Sequence, residues 1–233
     1  MTPNEVQPSG HALDRRLPLL IDQVGPAGAG CGIAVGPAPD STCVTVMQWA
    51  REYLCNPHPD LGRRGPVCPY VPASLAWGRF HVVPYPAADM PRAAVAMAVE
   101  HCRQLLLARS AERRRGSTKG DAAVHTTVLL TFPALDPVPA QVLVEEVQHR
   151  AKTAFVEQGL MIGEFHPGPP PAPGLHNPHF RPLASPVPLL ALRHMVAADQ
   201  PFLRSDPTHL AAYRRRFGSG ARTAPSAAPR EQA

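Results

Sequence analysis

The chain has 233 residues, 44% of them hydrophobic, 18% charged and 6% aromatic, and a formal net charge of +5. Its 30 prolines make up about 13% of the chain against a usual ~5%, which excludes a long-helix bundle and a coiled coil, and its glycines show no collagen-like triplet period. No apolar run reaches the roughly 18 residues of a membrane span, and the first residues lack the basic-then-apolar layout of a signal peptide, so a soluble, cytoplasmic protein with no membrane partner is expected.

Residues 1–40 are rich in Pro, Gly and Ala and read as a flexible leader, with one apolar patch at Leu17, Leu19, Leu20 and Ile21. Residues 41–218 read as a single domain, and 219–233 as a disordered tail. A first helix is predicted over 42–55, opened by Ser41 or Thr42. It carries one stripe of Val46, Trp49 and Tyr53 beside another of Cys43, Met47, Ala50 and Leu54, and Asn56-Pro57 stops it. A second is predicted over 91–114, capped by Asp89, with Val95, Ala98, Val99, Cys102, Leu105 and Leu106 on one face. A third, over 137–158, opens with Asp136-Pro137. It presents Leu143, Val144, Val147, Ala151, Ala154 and Phe155, and Gly159 closes it. The last opens at Asp206-Pro207, turns Leu210, Tyr213 and Phe217 inward, and ends at Gly218.

Four strands fit between these helices: about 79–85, 124–132, 160–166 and 187–196. In the second, Val124, Thr126, Val128, Leu130 and Phe132 alternate with His125, Thr127, Leu129 and Thr131. The expected fold class is α/β: a mixed sheet of about four strands with helices packed on it, in one domain with long Pro-rich loops.

Two loops depart from ordinary packing grammar. Loop 57–72 is long and polar, and Pro57, Pro59, Pro66, Pro69 and Pro72 stiffen it. A rigid loop is a good platform for a reactive group. Its candidate is Cys68, as a thiolate nucleophile or as a ligand. The Cys68-Pro69 dipeptide also occurs at haem sites, which makes haem a candidate cofactor. The bland reading is a buried thiol packed on Tyr70. The second loop runs through 163–188. Alternation puts Glu164 and His166 on one strand face, a pair suited to acid/base work, and His176 and His179 flank the Asn177-Pro178 turn. Together these three histidines and Glu164 form a candidate metal set. The competing readings are a metal-free pocket, or turn-capping by His176 and Asn177 with Arg181 pinning the loop. Arg193 lies in a mostly apolar strand and needs a partner, for which Asp199 and Glu164 are candidates; otherwise it is an anion-binding arginine. His125 and His149 read as surface residues, and His101 as helical.

The charge is uneven: Arg109, Arg113, Arg114, Arg115 and Lys119 cluster at one predicted helix end, and Arg214, Arg215 and Arg216 at another. Such cations complement helix dipoles. Cys31, Cys43, Cys55, Cys68 and Cys102 show no C-x-x-C spacing and default to free thiols in a cytoplasmic protein.

The segments LGRRGPVCPY (61–70) and MIGEFHP…GLHNPHFRPLASPVPLLALRHMV (161–196) resemble an actinobacterial domain-of-unknown-function family, DUF6875, over roughly 41–217. The resemblance implies one intact domain in a bacterial cytoplasm. It carries no activity, and an acidic residue is expected where this chain has His179, which weakens a metal site that includes it.

Three functional readings follow. The first is a small-molecule enzyme with a pocket between loops 57–72 and 163–188. There Cys68 is the thiolate, Glu164, His166 and His176 do acid/base work, and Arg63, Asn177, Arg181 and Arg193 anchor an anionic small molecule. The second is a non-catalytic protein-binding module that uses the Pro-rich loops. The third, nucleic-acid binding through the 109–119 cluster, lacks a groove-reading or stacking motif.

Overall fold

The computed structural model describes residues 41–84, 92–114, 125–170, 177 and 179–218. The expected leader 1–40, the tail 219–233, the Asp89 cap and His176 lie outside the described residues.

Helix α1 spans Ser41–Trp49 and runs straight into a π-helical turn, Ala50–Leu54. A single helix was expected here. The last turn is instead wider, closed by the Cys55 N–H donating to the Ala50 carbonyl at 3.0 Å. After a short 3₁₀ turn at Pro59–Leu61 comes helix α2, Val71–Ala76, within and just beyond what read as a continuous loop. Pro72 sits in its first turn, where a missing N–H costs nothing. Strand β1 (Phe80–Pro84), helix α3 (Arg92–Arg114), strand β2 (Thr127–Thr131) and helix α4 (Pro137–Glu157) follow. Strand β3 (Leu160–Phe165), strand β4 (Leu189–His194), a 3₁₀ turn (Ala197–Phe202) and helix α5 (Pro207–Phe217) complete the described order.

The four-stranded sheet has the order β1-β2-β4-β3. β1 and β2 are parallel, whereas β4 is antiparallel to both β2 and β3. The fold is therefore a mixed α/β sheet with helices packed on it, as the alternation of elements led one to expect. Alternation along each strand sorts the core into two faces. Val128, Leu130, Leu160, Ile162, Leu190 and Leu192 pack on α3 and α4. Phe80, Val82, Leu129 and Leu189 pack on α1, its π turn and Val67 and Val71. A third cluster, with Val156, Met161, Met195, Leu203 and Tyr213, joins the end of α4 to α5. Most of the expected helix stripes are buried, but Trp49, Tyr53, Leu105, Ala151, Leu210 and Phe217 are half-buried and Ala154 is exposed.

The two Asp-Pro openings are used differently. Asp206 caps α5, its carboxylate accepting from the Thr208 and His209 N–H groups at 2.8 and 3.0 Å. Asp136 holds the same position on α4, but its side chain makes no cap bond; its carbonyl accepts the Ala140 N–H instead. Gly159 ends α4 with φ +74°, and a Cβ there would run into the Arg216 guanidinium.

Arg193 finds its partner in Asp199, which it grips through both terminal nitrogens at 2.6 and 2.8 Å. The same carboxylate accepts the Val196 N–H at 2.8 Å, and the guanidinium lies over the Tyr70 ring, 5.2 Å from its centre.

Two outcomes are expected of this scaffold. Gly159→Ala should destabilise by roughly 1 kcal/mol or more, because alanine is strained at positive φ, and this is readable in urea unfolding. Asp199→Ala should cost about 3–5 kcal/mol by leaving a buried guanidinium uncompensated; a midpoint unchanged from the parent would show that the pair carries no stability.

Candidate functional site

Helix α1 contributes Thr45, Gln48 and Trp49, and its π turn Glu52 and Tyr53, to the lining of a groove. Trp49 and Tyr53 stack, their ring centres 6.2 Å apart at 24°, and Phe165 from the end of β3 meets Trp49 edge-on at 5.7 Å. The helix is closed by Asn56, whose side-chain amide donates to the carbonyls of Arg51 and Glu52. The chain then turns through Pro57 into His58. Here the imidazole caps the Pro59–Leu61 turn: Nδ1 accepts the Asp60 N–H at 3.2 Å, so the neutral ring carries its proton on Nε2. Gly62, with φ 68°, closes that turn.

The second loop arrives from the other side. Asn177 accepts the His179 N–H through Oδ1 at 2.8 Å, and its carbonyl accepts the Phe180 N–H, an Asx-type turn. Phe180 thereby lies 4.8 Å from the His58 ring, centre to centre, and His58 stands edge-on to Tyr53 at 5.9 Å. The Tyr53 hydroxyl donates to the Arg181 carbonyl at 3.2 Å, tying α1 to the loop; burial raises the pKa of that phenol, so it keeps its proton. Ala184, Ser185 and Pro186 complete the far wall. The result is a groove of about 670 Å³ lined from α1, the His58–Asp60 turn and residues 179–186.

Loops 57–72 and 163–188 therefore do meet, but the residues expected to react do not all meet with them. Arg181 and His179 line the groove. Asn177 spends its side-chain oxygen on its own turn. Cys68 is half-buried on the same sheet face, its N–H donating to the Leu54 carbonyl at 2.9 Å, but it does not line the groove. Arg193 is four residues along β4 from Leu189, about 13 Å of extended chain. Arg63 donates to the carbonyls of Arg64 and Val67, and Arg193 is taken up by Asp199; neither lines the groove. Glu164 and His166 share one strand face, but it is the face under α4. His166 is fully buried with Nε2 3.2 Å from Glu145 Oε1, a partner no sequence spacing pointed to. Burial lowers the His166 pKa while Glu145 opposes the shift, and burial raises that of Glu164.

His166, His179 and Glu164 thus divide between two faces. Among the described residues no three His, Cys, Asp or Glu side chains gather as a metal site. Cys43 and Cys102 are core filler, the Cys102 thiol pushed up to about 12 by burial. His125 is half-buried against Tyr70 rather than at the surface. The side chains of Arg109, Arg113, Arg114, Arg115 and Lys119 lie outside the described residues. No described helix is long and apolar enough to cross a membrane.

Residues 43–228 match a family model described as a domain of unknown function, DUF6875. The chain belongs to this family. No curated protein and no solved structure matches it. Among the groove's residues that sequence reasoning missed are Trp49 and Tyr53, placed on a helix stripe, and Glu52, His58 and Asp60, assigned to nothing. Their signal was present, since a Trp and a Tyr one helical turn apart, followed by an Asn-Pro stop and a His-Pro-Asp turn, place rings and carboxylates within a short span.

The buried imidazole at 166 has a consequence for stability. A free histidine titrates near 6.5, and in the folded chain burial lowers that value. Above about pH 6.5 both states are neutral and stability is full. As pH falls from there through the folded value, the unfolded chain takes up the proton first and stability is lost. His209, also lowered by burial, acts in the same sense. Unfolding in urea between pH 7.5 and 5 should show this acid limb, and His166→Gln should flatten part of it; an unaltered slope in the variant would remove His166 as a cause.

Proposed function

We propose that the protein is a cytoplasmic small-molecule enzyme whose substrate occupies the groove between α1, the His58–Asp60 turn and residues 179–186. The observation that carries the reading is the convergence of two proline-stiffened loops, more than a hundred residues apart in the chain, with the rings of His58 and Phe180 in contact at 4.8 Å. Long loops without secondary structure of their own are uncommon in compact domains and are often functional. The π turn beneath Tyr53 supports it as well, because π-helical turns occur frequently at functional sites.

His58 is the proton-transfer group of this reading. Its Nδ1 accepts the Asp60 N–H and lies 3.8 Å from the Asp60 carboxylate, which orients the ring and leaves the Nε2–H as its donor toward a substrate. The thiolate and haem versions lose support, since Cys68 does not line the groove. So does the anionic substrate, because Arg63 and Arg193 are engaged elsewhere. A non-catalytic binding module would be expected to lack such a cavity and to carry the Pro-rich loops around an apolar patch. The exposed apolar side chains nearest to a patch, Val138 and Val142, instead lie on α4.

The test is a thermal-shift screen of a cytoplasmic metabolite library against the wild-type chain and Gln48→Trp, which fills the groove from an exposed helix position. Compounds that stabilise the parent should lose their effect on the variant. His58→Asn should keep binding but lose turnover of the compound found. Hits that bind Gln48→Trp as well as the parent would place the ligand site elsewhere and end the proposal.

A further inference from the structure

From the charge and ring content of the groove we infer that its ligand is an organic cation, an alkyl- or aryl-ammonium compound. This rests on the groove reading above and names its substrate class. Four rings follow one another along the wall: Trp49 stacked on Tyr53, His58 edge-on to Tyr53, and Phe180 against His58. Aromatic faces attract an ammonium group through their quadrupole, and do so more strongly when water is excluded.

The charges between the rings point the same way. The described lining carries two carboxylates, Glu52 and Asp60, against one guanidinium, Arg181, a formal charge of −1 with the imidazoles neutral. The whole chain carries +5. The groove is therefore opposite in sign to the molecule around it, and a concave site of that kind concentrates ligands of the opposite charge to its own. The partners of the two carboxylates leave their charge intact. Glu52 Oε1 accepts from the neutral Gln48 amide at 2.9 Å, and Asp60 faces an imidazole at 3.8 Å. The Arg181 guanidinium donates to the Phe180 carbonyl at 3.4 Å.

This arrangement reverses the ligand charge that the sequence suggested. Arginine counting pointed to an anion, but of Arg63, Arg181 and Arg193 only Arg181 lines the groove.

The experiment is calorimetric titration of the full-length chain with three probes of matched shape: choline, its neutral carbon isostere 3,3-dimethylbutanol, and the anion 3,3-dimethylbutanoate. Benzyltrimethylammonium serves as a second cation. The cations should bind at least tenfold more tightly than the neutral and anionic probes, and added salt should weaken them. Glu52→Gln with Asp60→Asn should reduce cation affinity at least tenfold. Both positions are exposed, so the double variant should fold, which its thermal melt checks. Asp136→Asn, on α4 and outside the groove lining, should leave affinity unchanged.

Equal binding of choline and dimethylbutanol, or no loss in the double variant, would overturn the cation assignment. If dimethylbutanoate binds most tightly and Gln48→Trp abolishes it, the groove stands as a ligand site and the cation class is wrong. If none of the four probes binds and the metabolite screen also finds no Gln48-sensitive ligand, both readings fall.

Discussion

The structure depends on the register of β4. This strand enters the sheet between β2 and β3 after a connection of more than twenty residues, and it is antiparallel to both. Leu189, Leu190 and Leu192 are fully buried along it, one on the α1 side and two on the α3–α4 side. A slip of one residue would exchange those faces. It would drive Arg193 away from Asp199 and Tyr70 and turn His194 away from Ser110, to which its Nδ1 lies at 3.2 Å. Apolar burial and the Arg193–Asp199 pair therefore specify the same register, and neither is satisfied in its neighbour.

That register also decides where the long loop goes. β3 ends at Phe165 and the chain is stitched back on itself at once, through the His166–Ala184 bridge and the Ser185 N–H donating to the His166 carbonyl at 3.2 Å. The segment between is thus anchored at both ends beside the edge of the sheet, and residues 179–186 lie over α1. Prolines limit the unfolded alternatives of this segment, and the Tyr53 hydroxyl and the Asn177 turn complete its placement. The groove is a consequence of that geometry: residues 179–186 lie beside a helix whose half-buried rings and Glu52 carboxylate line it.

Several features were legible in the residues. Alternation in 124–132 marked the central strand, and Asp206-Pro207 marked a helix start, because period and capping are local properties. The convergence of loops 57–72 and 163–188 was legible too, from their length and proline content. The reactive residues assigned to that hollow were less so. Glu164 and His166 were correctly placed on a common strand face, but nothing in the strand says which of two helix layers will cover it; α4 does, and brings Glu145. Cys68 stood out as a cysteine in a stiff loop, yet it follows the chain into α2 and toward Tyr70. Trp49 and Tyr53 fitted an amphipathic stripe, but a half-buried ring at the margin of a helix face can equally line a groove.

The amino-acid sequence alone determined what is set by neighbours along the chain: the four strands and the four long helices, the Asp206 cap, the mixed α/β class, and two loops too stiff and too long to be simple connectors. Only the tertiary structure decided which face each polar residue serves, that Arg193 and Arg63 are spent on Asp199 and on backbone carbonyls, and that the groove lining is net acidic on a basic chain. The reason is physical. Secondary structure follows from interactions a few residues apart, whereas the charge of a cavity is a sum over side chains brought together from α1, the His58 turn and residue 181, and that sum does not exist until the sheet has chosen its register.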